Sequence, residues 1–123
     1  MGDQKRRAHS MTSNDSIRIP VQILSQNMKN NKNSLEKYRY HLRSNLPDRT
    51  YNFTKESRIK FYGIFGMKKN KDLDNSMKIL FDELQRKYKF DDRQIHEIHV
   101  FKQPVVKYSR NNAEFIEFTL SRI

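Results

Sequence analysis

The sequence predicts an α+β fold: a single domain with elements in the order β-α-β-α-β-β, its helices packed on a mixed sheet. Three observations predict it. Apolar residues alternate at period two in two stretches, as strands with one buried face require, and two further strand-like stretches close the chain. In two other stretches they recur every three or four positions, the spacing of one helix face. No segment repeats another, so six distinct elements share one core.

The first 14 residues, MGDQKRRAHSMTSN, are polar, basic and aperiodic; they are expected to be a disordered segment ahead of a folded domain at 15–123. Ile17, Ile19, Val21 and Ile23 then alternate with Arg18, Pro20 and Gln22. Pro20 cannot donate to a ladder, which suits an edge strand or a bulge. After the polar loop 25–33, Ser34 is placed to cap a helix in which Leu35, Tyr38 and Leu42 share a face, and Pro47 lies just beyond its end. In the second strand Ile59, Phe61 and Phe65 alternate with Arg58, Lys60 and Tyr62. Gly63 and Gly66 mark either a close approach or the strand's end. The stripe Met77, Leu80, Phe81, Leu84 and Tyr88 predicts a helix from about residue 75 to 88. Two strands, near 95–105 and 113–121, follow, joined by a polar loop from Lys107 to Asn112.

The chain carries 25 Lys and Arg against 14 Asp and Glu, a formal net charge of +11. The excess lies wholly in residues 1–71, which hold 16 basic and 5 acidic side chains; residues 72–123 hold nine of each. That imbalance exceeds what solubility needs and favours a phosphate polymer, bound with release of counterions. A membrane surface would call for a basic amphipathic helix, whereas these basic residues are scattered over strands and loops. No stretch approaches the ~18 apolar residues of a membrane span. No apolar run follows the basic N-terminus as in a secretory signal. The absence of cysteine excludes disulfides, thiolate zinc sites and a Cys nucleophile. A cytoplasmic location is expected, and without a Gly-rich phosphate loop no nucleotide cofactor is.

The chemistry concentrates in KKNKDLDNSMK. Asp72 and Asp74 lie two apart at a loop-to-helix junction, and Lys78 follows Asp74 by four residues, on the same flank of the helix at the edge of its apolar stripe. Side chains on such a boundary are expected to be half buried and held. A second acidic pair, Asp91 and Asp92, precedes the third strand, and a short helix there could bring it back beside the first pair. Three converging carboxylates would form an oxygen-rich pocket for magnesium, able to polarise a phosphodiester and activate water. Lys78 would stabilise charge on the phosphate or orient the water. The plainer alternatives are an N-cap for Asp72 and an i, i+4 surface pair for Asp74 and Lys78. A calcium loop on Asp72, Asp74, Ser76 and Glu83 fails because Met77 stands where the sharp turn needs Gly.

The run from Met67 to about Val106 resembles the RusA family of Holliday junction resolvases. It has a basic run, then Asp72-Leu73-Asp74-Asn75, then Lys78, a helix, and Asp91-Asp92 followed by Gln94 and Ile95. Residues 17–66 match in outline, as strand, polar loop with Ser25 and Asn27, helix and strand. The resemblance implies a homodimeric, Mg2+- or Mn2+-dependent endodeoxyribonuclease that cuts four-way junctions by paired nicks. It assigns Asp72, Asp74 and Asp92 as essential acids and Lys78 as the essential base-type residue, with Asp91 as a helper. One departure is the segment Arg86-Lys87-Tyr88-Lys89-Phe90, where many members have a Gly-containing turn.

Lys68, Lys69 and Lys71 immediately precede the acids and are the best phosphate contacts; Arg58, Lys60, Lys29 and Lys32 would extend the track. Phe65 is read as core before any role as a wedge into the junction. His96 and His99, three apart on a strand, face opposite sides and make a poor zinc pair. The rival function is a non-catalytic DNA-binding protein of the same fold. Against it, carboxylates with no catalytic use would only repel phosphate.

Overall fold

A computed structural model describes residues 15–25, 31–68, 71–105 and 113–123. The basic segment 1–14, Asn27, Lys29, Lys69 and the loop Lys107–Asn112 lie outside these residues.

The element order is β1 (Ile17–Pro20), α1 (Lys32–Asn45), β2 (Ile59–Met67), α2 (Leu73–Tyr88), a 3-10 turn (Asp92–Gln94), β3 (Ile95–Pro104) and β4 (Phe115–Arg122). The strands form one mixed sheet in the order β1-β4-β2-β3. β4 pairs antiparallel with both β1 and β2, whereas β3 lies parallel to β2. The predicted α+β architecture and element order are therefore those of the protein. β1, with Pro20 at its end, is an edge strand as its proline requires.

One face of the sheet, carrying Ile17, Ile19, Phe61, Phe65, Ile116 and Phe118, meets the buried faces of both helices in a single core. α1 contributes Tyr38 and Leu42; α2 contributes Ile79, Leu80, Leu84 and Tyr88. Phe65 is fully buried there, so it cannot act as a wedge. The helices are joined by two polar contacts. Tyr38 Oη donates to the Ser76 carbonyl at 2.9 Å, and Arg43 binds the Glu83 carboxylate at 2.9 and 3.2 Å. Burial raises the Tyr38 phenol well above its ordinary pKa.

One expectation is corrected. α1 is capped by Asn31, whose side chain accepts from the Ser34 N–H at 3.1 Å, so Ser34 lies inside the first turn. Asn31 serves because its extended backbone and side-chain oxygen meet the cap requirement three residues earlier. Gly66, one residue before the end of β2, marks a close approach: a Cβ there would lie 2.1 Å from the ring of Phe115, its cross-strand partner. The glycine makes room for that ring.

A candidate site divided between the two ends of a helix

Parallel pairing of β2 with β3 dictates where the acidic residues go. The chain leaves the C-terminal end of β2, runs back along the core as α2, and re-enters the sheet at the N-terminal end of β3, where Ile95 is level with Ile59. Asp72 is at the start of that helix and Asp92 beyond its end. Sixteen residues at 1.5 Å each put the two ends about 24 Å apart. The 3-10 turn therefore does not return Asp92 to Asp72 and Asp74 within one chain, as sequence order alone had suggested. Among the described residues no three His, Asp or Glu side chains come together as a metal cluster.

At the first end, Asp72 is the N-cap of α2. Its two carboxylate oxygens accept from the Asn75 N–H at 3.0 Å and from Asn75 Nδ2 at 3.1 Å. Its own N–H donates to the Leu24 carbonyl at 2.7 Å, and Lys71 forms a β-bridge with Ser25. Asn75, the last residue of DLDN, thus orients the first. Asp74 and Lys78 form the expected i, i+4 pair at 3.5 Å, but their side chains are 83% and 70% exposed, not half buried. They project from the outer side of the first turns, where water screens the pair and its contribution to stability is small.

The lysines expected to meet phosphate differ from one another. Lys68 is exposed and lines the cleft described below. Lys71 departs from expectation: its side chain is only 10% exposed, and its Nζ donates to the Ile23 carbonyl at 3.0 Å and pairs with Glu114 at 3.2 Å. An ammonium so engaged is committed to the fold. Glu114, which sequence reasoning passed over, is buried and also accepts the N–H groups of Ile23 at 3.1 Å and Lys68 at 2.7 Å. Beside this cluster opens a cleft of about 700 Å³, lined by residues 20–24, Lys37, Tyr38, His41, Lys68, Lys71 and Glu114. Lys37 and His41 were also missed, because only the fold brings α1 to the acid-bearing loop.

At the other end, α2 stops at Lys89, whose φ of 60° is left-handed; its N–H donates to the Gln85 carbonyl at 3.0 Å. This is the position glycine favours. The missing glycine therefore leaves the turn's geometry in place, with a lysine adopting it. Asp91 caps the 3-10 turn in a reciprocal box with Gln94. Hydrogen bonds from the Arg93 side chain and N–H hold its carboxyl down at about 2. Asp91 is thus bound up in local structure. Asp92 is exposed, its N–H donating to Gln85 Oε1 at 2.7 Å. Arg58 and Lys60 also lie at this end of β2, away from Lys68. Glu83, on the same helix, is 2% exposed and bound by Arg43, an internal brace with no place in a calcium loop.

No helix among the described residues is long and apolar enough to cross a membrane. No curated protein matches the chain. The family model for the endodeoxyribonuclease RusA matches residues 7–117, nearly the whole length. With its mixed four-stranded sheet, and with DLDN at the head of α2, the chain belongs to the RusA endodeoxyribonuclease family.

Proposed function

We propose that this protein resolves four-way DNA junctions as a homodimer, each active site combining Asp72 and Asp74 of one subunit with Asp92 of the other. The observation that carries this reading is the separation of the acids along α2. One chain offers two half-sites, and a second copy can complete both.

The sheet offers a way to do so. β3 is a ten-residue edge strand with an exposed Ile98, unlike the four-residue β1 at the opposite edge. A long unpaired edge is a template for another strand. Antiparallel pairing of two β3 strands about a twofold axis sets the start of one, just after Asp92, beside Pro104 at the end of the other. Pro104 is in register with Met67, five residues before Asp72. The same symmetry operation builds both sites, so two opposed strands could be cut by one dimer.

The donor set suits a hard cation: Asp72 and Asp74 present carboxylate oxygens alone. An ionised carboxylate has about four lone-pair sites, so the two hydrogen bonds from Asn75 orient Asp72 and leave acceptor capacity for Mg2+ or Mn2+. Bound there, such an ion would supply Lewis-acid polarisation of the scissile phosphate and a water of lowered pKa. The exposed Lys78 ammonium can swing from Asp74 to the phosphate and offset charge developing on it. Lys68, with Lys37 across the cleft, neutralises the incoming backbone, and salt weakens binding accordingly.

A subunit-mixing experiment tests the reading. Asp72→Asn and Asp92→Asn homodimers should each bind a labelled junction without cutting it. A mixed dimer has one site with both defects and one with none. Co-refolding equal amounts should therefore restore single nicks at about a quarter of wild-type turnover, from random assortment. Loss of activity in both parents without recovery would leave each site within one subunit. Wild-type cutting by Asp72→Asn would reduce DLDN to a helix cap and favour a binding protein.

A further inference from the structure

We infer that Glu114 is a positioning residue for the nuclease site, acting through Lys71 and the backbone of Lys68 to fix Asp72. The inference rests on the reading of Asp72 as a metal ligand. Glu114 precedes β4 and is buried, and its carboxylate binds groups outside that strand. Oε2 accepts the Lys68 N–H at 2.7 Å, and Oε1 accepts the Ile23 N–H at 3.1 Å and faces Lys71 Nζ at 3.2 Å. Lys71 Nζ in turn donates to the Ile23 carbonyl at 3.0 Å. The segment beyond β2 is thus held at Lys68 and Lys71 by one buried anion, immediately before the acid at Asp72. The Leu24 carbonyl, next along the same backbone, accepts the Asp72 N–H at 2.7 Å. The acid-bearing loop is anchored at three points to residues 23–24, which follow β1, and to Glu114, which immediately precedes β4.

The three contacts need an anion. A neutral amide in place of the carboxylate would turn its NH2 toward an N–H or the ammonium, leaving a buried donor facing a donor. Lys71 would also lose its counter-charge. The loop would then sample more positions, and Asp72 would meet the metal in fewer of them. Glu83 supplies the internal contrast. It too is a buried glutamate paired with a cation, but its partner Arg43 lies on α1, and together they join helix to helix.

The test compares Glu114→Gln, Lys71→Met and, as control, Glu83→Gln in the full-length protein. Three quantities are measured: the rise in thermal midpoint with MnCl2 in the absence of DNA, the Mn2+ concentration for half-maximal junction cutting, and junction affinity in EDTA. Glu114→Gln and Lys71→Met should need about 10- to 100-fold more Mn2+ and lose the Mn2+-induced thermal shift in the same range. Their junction affinity in EDTA should stay near wild type. Glu83→Gln should melt earlier but titrate with Mn2+ as wild type does. Wild-type Mn2+ dependence in Lys71→Met, or an equal change in Glu83→Gln, overturns the proposal. So does failure of both Glu114→Gln and Lys71→Met to fold, which would assign the cluster to stability alone. Asp72→Asn separates the levels: if it is silent while Glu114→Gln and Lys71→Met titrate normally, only the positioning role falls. If Asp72→Asn cuts normally, the site reading itself falls.

Discussion

The two ends of α2 both present carboxylates to solvent, but they are secured in different ways. At the first end, Asp72 is the helix cap and the preceding loop is tied to buried Glu114, a residue more than forty positions along the chain. At the second end, the ties to the acidic pair are mostly short-range: Asp91 to Arg93 and Gln94, and Asp92 to Gln85. Only Gln94 reaches further, donating to the carbonyls of Thr54 and Ser57. The contrast shows how one helix can hold the acids at its two ends by different means. The end bearing two acids and a cleft is fixed by long-range buried contacts, while the end bearing Asp92 is built from a turn that folds locally.

That contrast can be broken by experiment. The largest effect is expected at the first end beyond the acids themselves. Lys78→Ala should lower the single-turnover cutting rate by about 10²-fold, with junction affinity nearly unchanged. A comparable loss from Arg93→Ala, which removes only the guanidinium bonds to Asp91 and keeps its backbone cap, would show that the second end matters equally to cutting. A smaller effect separates Lys68 from Lys71. Lys68→Ala should reduce the slope of log affinity against log salt by about 0.9. Lys71→Met should leave the slope alone, because its ammonium faces Glu114 and not solvent; an equal fall in both would return Lys71 to the phosphate track. The smallest effect belongs to the second end. Lys89→Gly should stabilise the protein by up to about 1 kcal/mol, seen as a raised thermal midpoint, because glycine takes the left-handed conformation without cost from a Cβ. A lowered midpoint would mean that the lysine stem contributes packing that outweighs its backbone strain.

Most elements were legible because their signals are local. Alternation placed β1 and β2, and the stripe ending at Tyr88 placed α2 within two residues of its observed start. DLDN was legible as a motif because cap, acid and lysine lie within seven residues. What escaped reading depends on partners distant in sequence. Nothing near Glu114 distinguishes it from a solvated glutamate, since its partners Ile23 and Lys68 lie 91 and 46 positions away. Lys71, between Asn70 and Asp72, looked like a surface lysine for the same reason. The direction of β3 was equally hidden. Antiparallel pairing would have brought Asp92 to the same end of the sheet as Asp72, and periodicity is identical for either direction.

Gly66 and Phe115 acquire a further meaning from this arrangement. They are directly opposed on neighbouring strands, the ring filling the space a side chain at Gly66 would occupy, with the Arg18 guanidinium 3.7 Å from the ring centroid. A slip of β4 by one residue would turn Phe115 toward the helices, and a slip by two would drive its ring against Ile64. The glycine and the ring therefore act as a lock and key for strand alignment. Phe115 follows Glu114 directly, so the same fit sets how far along β2 the buried carboxylate arrives. Gly66→Val should be felt first as misalignment of a strand and only then as damage to a nuclease. A glycine near the end of β2 serves as the datum from which the acid-bearing loop is measured.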